Sequence, residues 1–318
     1  MNGILKHRNL RVYRKNYFFL FLFISISLFS TCTKEKINII DDNDPTSVTN
    51  ISRLKIENYV NRLFIDLVGR EPLKTELGVE VDTLQANELS RDARIALIDR
   101  LMTDDSFREG ERSYKAAFYL NLYNLAKVRC LESVTDGEIQ MRMGQLIGDA
   151  MRDSMAGNWE LFYTRLEILR KYQNLLDSQH DLYDGHIQYH QMFTFLVNNS
   201  VYDLINMNTF NFIRAVYSEL LFRLPTVQEY EVAFDIIEKN MHKQAFGKYC
   251  SGKEDFIDAM IQSPSMLEGM VIWTFQVYLN RFPTPSELVS LLPTYLQDQD
   301  IRYLIRQIAV TDEYAGFK

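Results

Sequence analysis

The chain has 318 residues, 47% of them hydrophobic, with 35 Lys and Arg against 42 Asp and Glu and a formal charge of −7. An acidic chain lacks the basic footprint that holds nucleic acid or anionic headgroups, so neither is expected as a main partner. The three cysteines include no Cys-x-x-Cys-His, which excludes covalently attached c-type haem.

At the N-terminus, residues 1–16 carry Lys6, Arg8, Arg11, Arg14 and Lys15 without an acidic residue, and the apolar run 17–29 follows. Phe29-Ser30-Thr31-Cys32 closes the segment, with phenylalanine where leucine is usual. Basic, apolar and small residues in that order, ending on cysteine, predict a secretory signal whose cleavage leaves Cys32 as the first residue. The apolar run is short of the roughly 20 residues that span a bilayer. Acylation of Cys32 accounts for the difference, because lipid chains alone then hold the protein on the membrane. Thr33, rather than aspartate, makes the outer membrane the expected address, with the body facing periplasm or cell surface. Without residues 1–31 the chain keeps 30 of its 35 basic and all 42 acidic residues, a formal charge of −12.

Residues 32–57 are the acylated cysteine and a polar tether, and 58–318 form the body, long enough for one large core or two smaller ones. The body is predicted to be all-α. Gly and Pro are sparse, and apolar residues recur at three- and four-residue steps, as in Val60, Leu63, Phe64, Leu67 and Val68. Cys130 and Cys250 lie far apart without a spacing signature and read as two buried free thiols; an oxidising periplasm would also allow them to pair.

Three segments of the body end a helix alike. Arg70-Glu-Pro72, Arg223-Leu-Pro225 and Arg281-Phe-Pro283 each follow an aromatic six residues back (Phe64, Tyr217, Phe275) and precede a glutamate six residues on (Glu76, Glu229, Glu287). The proline stops the helix. Thr226 with Glu229, and Thr284 with Glu287, predict capping boxes at the next helix, and Pro285 suits its first position. Leu73 replaces the threonine in the first copy, so a different turn is expected there. A second motif has four copies, Leu101–Phe107, Leu196–Tyr202, Met260–Met266 and Ile308–Tyr314, in which a helix ends, a polar break follows and a large apolar residue docks. Glu109-Gly110 and Glu268-Gly269 extend the match. The predicted architecture is therefore repeated helical units at 59–110, 212–269 and 270–317, with an inserted helical section at 111–211.

The stretch Leu63–Pro72, followed by Leu97–Met102, resembles a bacterial exported all-helical family of unknown function found with cytochrome-c-type domains. Its Leu67-Val-Gly-Arg-Glu-Pro72 phrase is also similar to the helical repeats of phycobilisome linkers. The resemblance covers the repeats but not 111–211, and implies an exported helical domain without established catalytic residues.

Candidate chemistry concentrates in His180–His190. A helix starting near Gly185 would set His186 and His190 one turn apart, a spacing that chelates transition metals, with Asp184, Asp181 and His180 to complete the sphere. Ile187 after His186 departs from the zincin signature, and a polar turn is the simpler reading. The arginines of the repeats read as helix caps or as partners of the downstream glutamates rather than as a binding site. Phe118, Tyr119, Tyr123, Phe193, Phe195, Phe210 and Phe212 read as core rather than as sugar-stacking platforms. The expectation is a non-catalytic, cofactor-free interaction or scaffold module that docks other envelope proteins through Tyr183, His186, Tyr189 and His190. The alternative is a metal-binding or cofactor-associated protein using the same segment.

Overall fold

Asp, Ser, Thr or Asn N-caps start most helices of the body, and the computed structural model describes residues 51–107 and 111–317. Cys32, the basic and apolar segment before it, most of the tether and the Glu109-Gly110 pair lie outside the described residues. The fold is all-α, with fifteen helices and one two-stranded hairpin among the described residues.

The first unit comprises α1 (Arg53–Leu63), α2 (Lys74–Ala86) and α3 (Arg91–Thr103). A π turn, Phe64–Val68, continues α1 and carries Phe64, Leu67 and Val68 into the core. Next come α4 (Tyr114–Leu131), α5 (Asp136–Met155), α6 (Trp159–Asp184), α7 (Tyr189–Val197) and α8 (Ser200–Asn206). The second unit is α9 (Thr209–Leu220), α10 (Val227–Ile237), strands β1 (Lys243–Ala245) and β2 (Lys248–Cys250), and α11 (Lys253–Ile261). The third is α12 (Pro264–Leu279), α13 (Pro285–Asp298), α14 (Ile301–Ala309) and the single turn α15 (Asp312–Ala315). The unit boundary expected at 269/270 thus falls inside α12.

One hydrophobic cluster runs through all three units. On α14, Ile301, Leu304, Ile305 and Ile308 recur at helical spacing and all are buried. The first and third units meet directly. Tyr59 donates to the Ala309 carbonyl (3.0 Å), Tyr314 donates to Asp66 (2.8 Å), and Arg94 and Arg306 pair with Asp312 (2.7 Å) and Asp99 (2.6 Å). Gly269 lets α12 approach the end of α9: a Cβ there would lie 2.1 Å from the Leu220 carbonyl oxygen.

The expected insertion divides in two. α4 and α7 are core helices, burying Phe118, Leu122, Tyr123 and Cys130 on one and Tyr189, Met192, Phe193 and Leu196 on the other. α5, by contrast, packs chiefly on α6. Of the four docking residues, Tyr202, Met266 and Tyr314 are buried, whereas Phe107 is 90% exposed. In those three copies Asn199, Ser263 or Thr311 accepts the amide of the docking residue and donates back to a carbonyl of the preceding helix. Asp104 in the first copy instead accepts from the Ser106 amide, and no helix starts to carry Phe107 inward. Phe210 is also half exposed rather than core.

The β-hairpin was not anticipated. Phe246 (φ +50°) and Gly247 (φ +80°) make a two-residue turn with both angles positive, the type that matches strand twist. Phe246 is a poor intrinsic choice for it. Its ring packs between Tyr217 and Phe256, each at 5.8 Å, and that burial offsets the strain.

Candidate functional site

Three arginine turns share one geometry. Arg70, Arg223 and Arg281 each donate through both terminal nitrogens to the glutamate six residues on, at 2.6–2.9 Å. Each also donates to the carbonyl of the next residue and lies over the aromatic six residues back, 5.0–5.7 Å from its centroid. The same glutamate accepts the N-cap amide of the following helix, from Leu73, Thr226 or Thr284. Direct bidentate bonds hold the Glu229 and Glu287 carboxyls down at about 2. Burial pushes Glu76 the other way, but Arg70, the Leu73 amide and the Tyr114 hydroxyl outweigh it and leave it also at about 2. Bonds this saturated make the arginines structural.

The different turn expected at Leu73 does not occur. Its φ/ψ of −64°/154° matches −66°/164° at Thr226 and −69°/158° at Thr284. Only the hydroxyl bond is missing, because the fork and the proline already fix the backbone. A shared feature was missed in the sequence: the residue before each arginine is left-handed, at Gly69 (φ +76°), Phe222 (φ +55°) and Asn280 (φ +52°). Glycine and asparagine signal such a position, whereas phenylalanine hides it.

The segment 180–190 folds otherwise than expected. Gly185 (φ +77°) ends α6, and α7 starts only at Tyr189, so His186 and His190 do not share a helical turn. His186 is exposed beside Asp181 (Nδ1–Oδ1 3.5 Å), and Asp184 is exposed at the end of α6. His190 is buried with no partner for Nδ1 among the described residues, and burial lowers its pKa to about 4. Among the described residues no three His, Cys, Asp or Glu side chains converge to hold a metal ion. Tyr189 is buried too, donating to the Leu122 carbonyl (3.2 Å) and packing 5.0 Å from Trp273. Tyr189 and His190 are therefore core residues and cannot touch a partner. Tyr183 and His186 remain at the surface; the Tyr183 hydroxyl donates to Asp105 (2.6 Å), and Lys115 lies 4.0 Å over its ring.

Beside this turn lies a cleft of about 420 Å³, walled by Gly185, Ile187 and Gln188 on one side and by Asp300, Arg302 and Arg306 on the other. Its arginines are matched: Arg302 forks onto Asp300 (2.7–3.0 Å) and Arg306 pairs with Asp99. The described residues that line it include no serine, cysteine, histidine or lysine. Asp298, the Gln188 amide and the Tyr303 hydroxyl add polar groups able to hydrogen-bond.

A second polar cluster is internal. Tyr202 donates to the Glu219 carboxyl (2.8 Å), which also bonds the buried Cys130 thiol. Burial raises Glu219 to about 7 against the opposing pull of Tyr202 and Arg129, and burial pushes Cys130 well above the usual thiol range. Arg129 lies 4.0 Å over the Phe222 ring and donates to the Glu219 and Ser218 carbonyls at the end of α9. A raised thiol pKa makes a poor nucleophile. Cys250 is likewise free and buried.

Comparison of the chain with protein-family models, curated proteins and solved structures finds no match in any of the three.

Proposed function

We propose that this chain is a lipoprotein anchored through Cys32 in the outer membrane, whose helical body is a non-catalytic interaction or scaffold module for other envelope proteins. The carrying observation is the order of basic, apolar and small residues before Cys32, followed by a polar stretch and a body with its own continuous core. The body supports the reading by how it uses its charge, since its repeated arginines and glutamates are committed to turns. The resemblance to exported helical domains is of the same kind. Tyr183, His186 and Gln188, at or beside the cleft, are the residues we assign to partner contact. Fatty-acid labelling of wild type and Cys32→Ser tests the anchor: label should depend on Cys32, and a labelled serine variant would refute it. Co-purification from envelopes with wild type and a Tyr183→Ala/His186→Ala/Gln188→Ala variant tests the module. The variant should lose a protein that wild type retains, while its helicity is unchanged.

A further inference from the structure

α5 is 20 residues long, which at about 1.5 Å per residue carries the turn between it and α6 roughly 30 Å from its base at Asp136. Core helices hold the base of the hairpin, where Tyr172, Leu175 and Leu182 are buried. Its far end is different. Met151, Met155, Trp159, Leu161, Tyr163 and Leu166 surround the tip and are exposed, with Met155 at 87%, Tyr163 at 63% and Trp159 at 53%. Taking roughly 150–250 Å² per large side chain, they present on the order of 700 Å² of mostly apolar surface. A soluble monomer's largest apolar patch is about 300–600 Å². Nearer the base the exposed face is mixed: Glu138, Gln140, Gln173 and Asp177 face solvent beside Met141 (60%), with Ile147 (44%) midway along α5.

The charge at the tip is as distinctive as its apolarity. Residues 141–170 hold four arginines (142, 152, 165, 170) and four acids (149, 153, 160, 167) in a chain whose formal charge is −7. Most of these are neutralised locally: Arg165 bridges Asp149 (3.3 Å) and Asp153 (2.6 Å), Arg152 pairs with Asp149, and Arg170 with Glu167 (2.6 Å). An acidic body is repelled from anionic headgroups, but a neutral end is not. Tryptophan, tyrosine, leucine and methionine around a helical end are the chemistry of the bilayer interface, where an apolar ring with a polar edge is at home.

We propose that the α5–α6 tip dips into the headgroup region of the bilayer, a second membrane contact that orients the body on the lipid surface. The proposal rests on the anchor reading only for bringing the body near a membrane.

The chain has two tryptophans, and Trp273 is 2% exposed, so Trp159 is the residue that reports on lipid. With the full chain in phosphatidylcholine vesicles, Trp159 emission should shift to the blue, and brominated acyl chains should quench roughly half of it. Trp159→Phe should remove the quenchable component. Met151→Ser/Met155→Ser/Leu161→Ser, all exposed positions, should abolish quenching while helicity stays at the wild-type level. A vesicle-bound chain whose Trp159 stays unquenched overturns the proposal. So does a blue shift that grows with protein concentration in the absence of vesicles, which would assign the tip to a second copy of the chain. Acyl labelling at Cys32 reports on the anchor and Trp159 quenching on the tip, so the two readings fail separately.

Discussion

The arginine turns and the α5–α6 hairpin are built from the same residue types to opposite ends. In the turns each guanidinium has a carboxylate, a carbonyl and a ring, and the left-handed residue before it brings these within reach. In the hairpin, charges pair among themselves along the shaft while large apolar side chains face outward at the end. The turns also expose single apolar residues, such as Leu224 (53%) and Phe282 (61%); the hairpin differs in gathering several at one end.

One substitution made in both regions should separate them most sharply. Gly269→Ala places a methyl 2.1 Å from the Leu220 carbonyl, so α12 must move off α9, at a cost of about 3 kcal/mol. Gly144→Ala on α5 meets nothing within 4 Å and should stabilise by about 0.5–1 kcal/mol, the helical preference of alanine over glycine. Urea melts of the two variants should move in opposite directions. Equal shifts would mean that α12 and α9 are not in contact as described.

Among the turns themselves, the fork of the first copy is the most enclosed, with side-chain exposures of 23% and 11% for Arg70 and Glu76 against 43% and 30% for Arg223 and Glu229. Arg70→Ala should therefore cost about 2 kcal/mol and Arg223→Ala about 1 kcal/mol, the difference being solvent screening. Lysine should rescue neither fully, since an ammonium cannot make the bidentate fork. Paired thermal melts of the four variants give the ranking, and the reverse order would show that enclosure is not what sets the strength of the fork.

This contrast marks what the sequence discloses. The turns were legible because ring, arginine, proline and glutamate all lie within six residues of the arginine. Helical periodicity likewise disclosed the core of α1. The burial of Tyr189 and His190 was not legible, because Trp273 on α12 covers Tyr189 from far along the chain. Phe222 and Phe246 hide left-handed positions that only distant packing sustains: Arg129 lies over the first ring, and Tyr217 and Phe256 flank the second. Nor does periodicity show that α4 and α7 are core while α5 projects, since an amphipathic stripe does not say how much of the molecule it meets.

A pH titration extends the comparison to the interior. Glu219 is raised from its ordinary range near 4.5 to about 7 by burial, so the folded protein holds a proton there that the unfolded chain has lost. Its contribution to stability is full below about 4.5 and is lost as pH rises through about 7. His190 acts oppositely: lowered to about 4, it contributes above about 6.5 and loses that contribution as pH falls towards 4. The two slopes offset one another between about 4.5 and 6.5, where wild-type stability should be nearly flat. Glu219→Gln removes one slope, so urea midpoints of that variant should rise with pH across this window and exceed wild type at pH 8. A variant curve parallel to wild type would show that Glu219 is ionised in the folded protein throughout. Below about 4.5 the three fork glutamates dominate, and stability should be lost progressively as pH falls towards 2.

The smallest effect tests what holds a turn in place. Leu73 has the backbone of an N-cap and the Glu76 carboxylate on its amide, but no side-chain acceptor for the amide that Thr226 and Thr284 each bond at 3.2–3.3 Å. Leu73→Thr adds that acceptor at a half-exposed site, where little burial is lost, and should stabilise by about 0.5 kcal/mol. Thr284→Ala removes the same bond and should cost about 1 kcal/mol, more than is gained at Leu73 because the hydroxyl also donates to Glu287 (2.9 Å). If both changes leave the melting temperature where it was, the fork alone carries the turn. The threonines would then be interchangeable with leucine, and the first copy would be as complete as the other two.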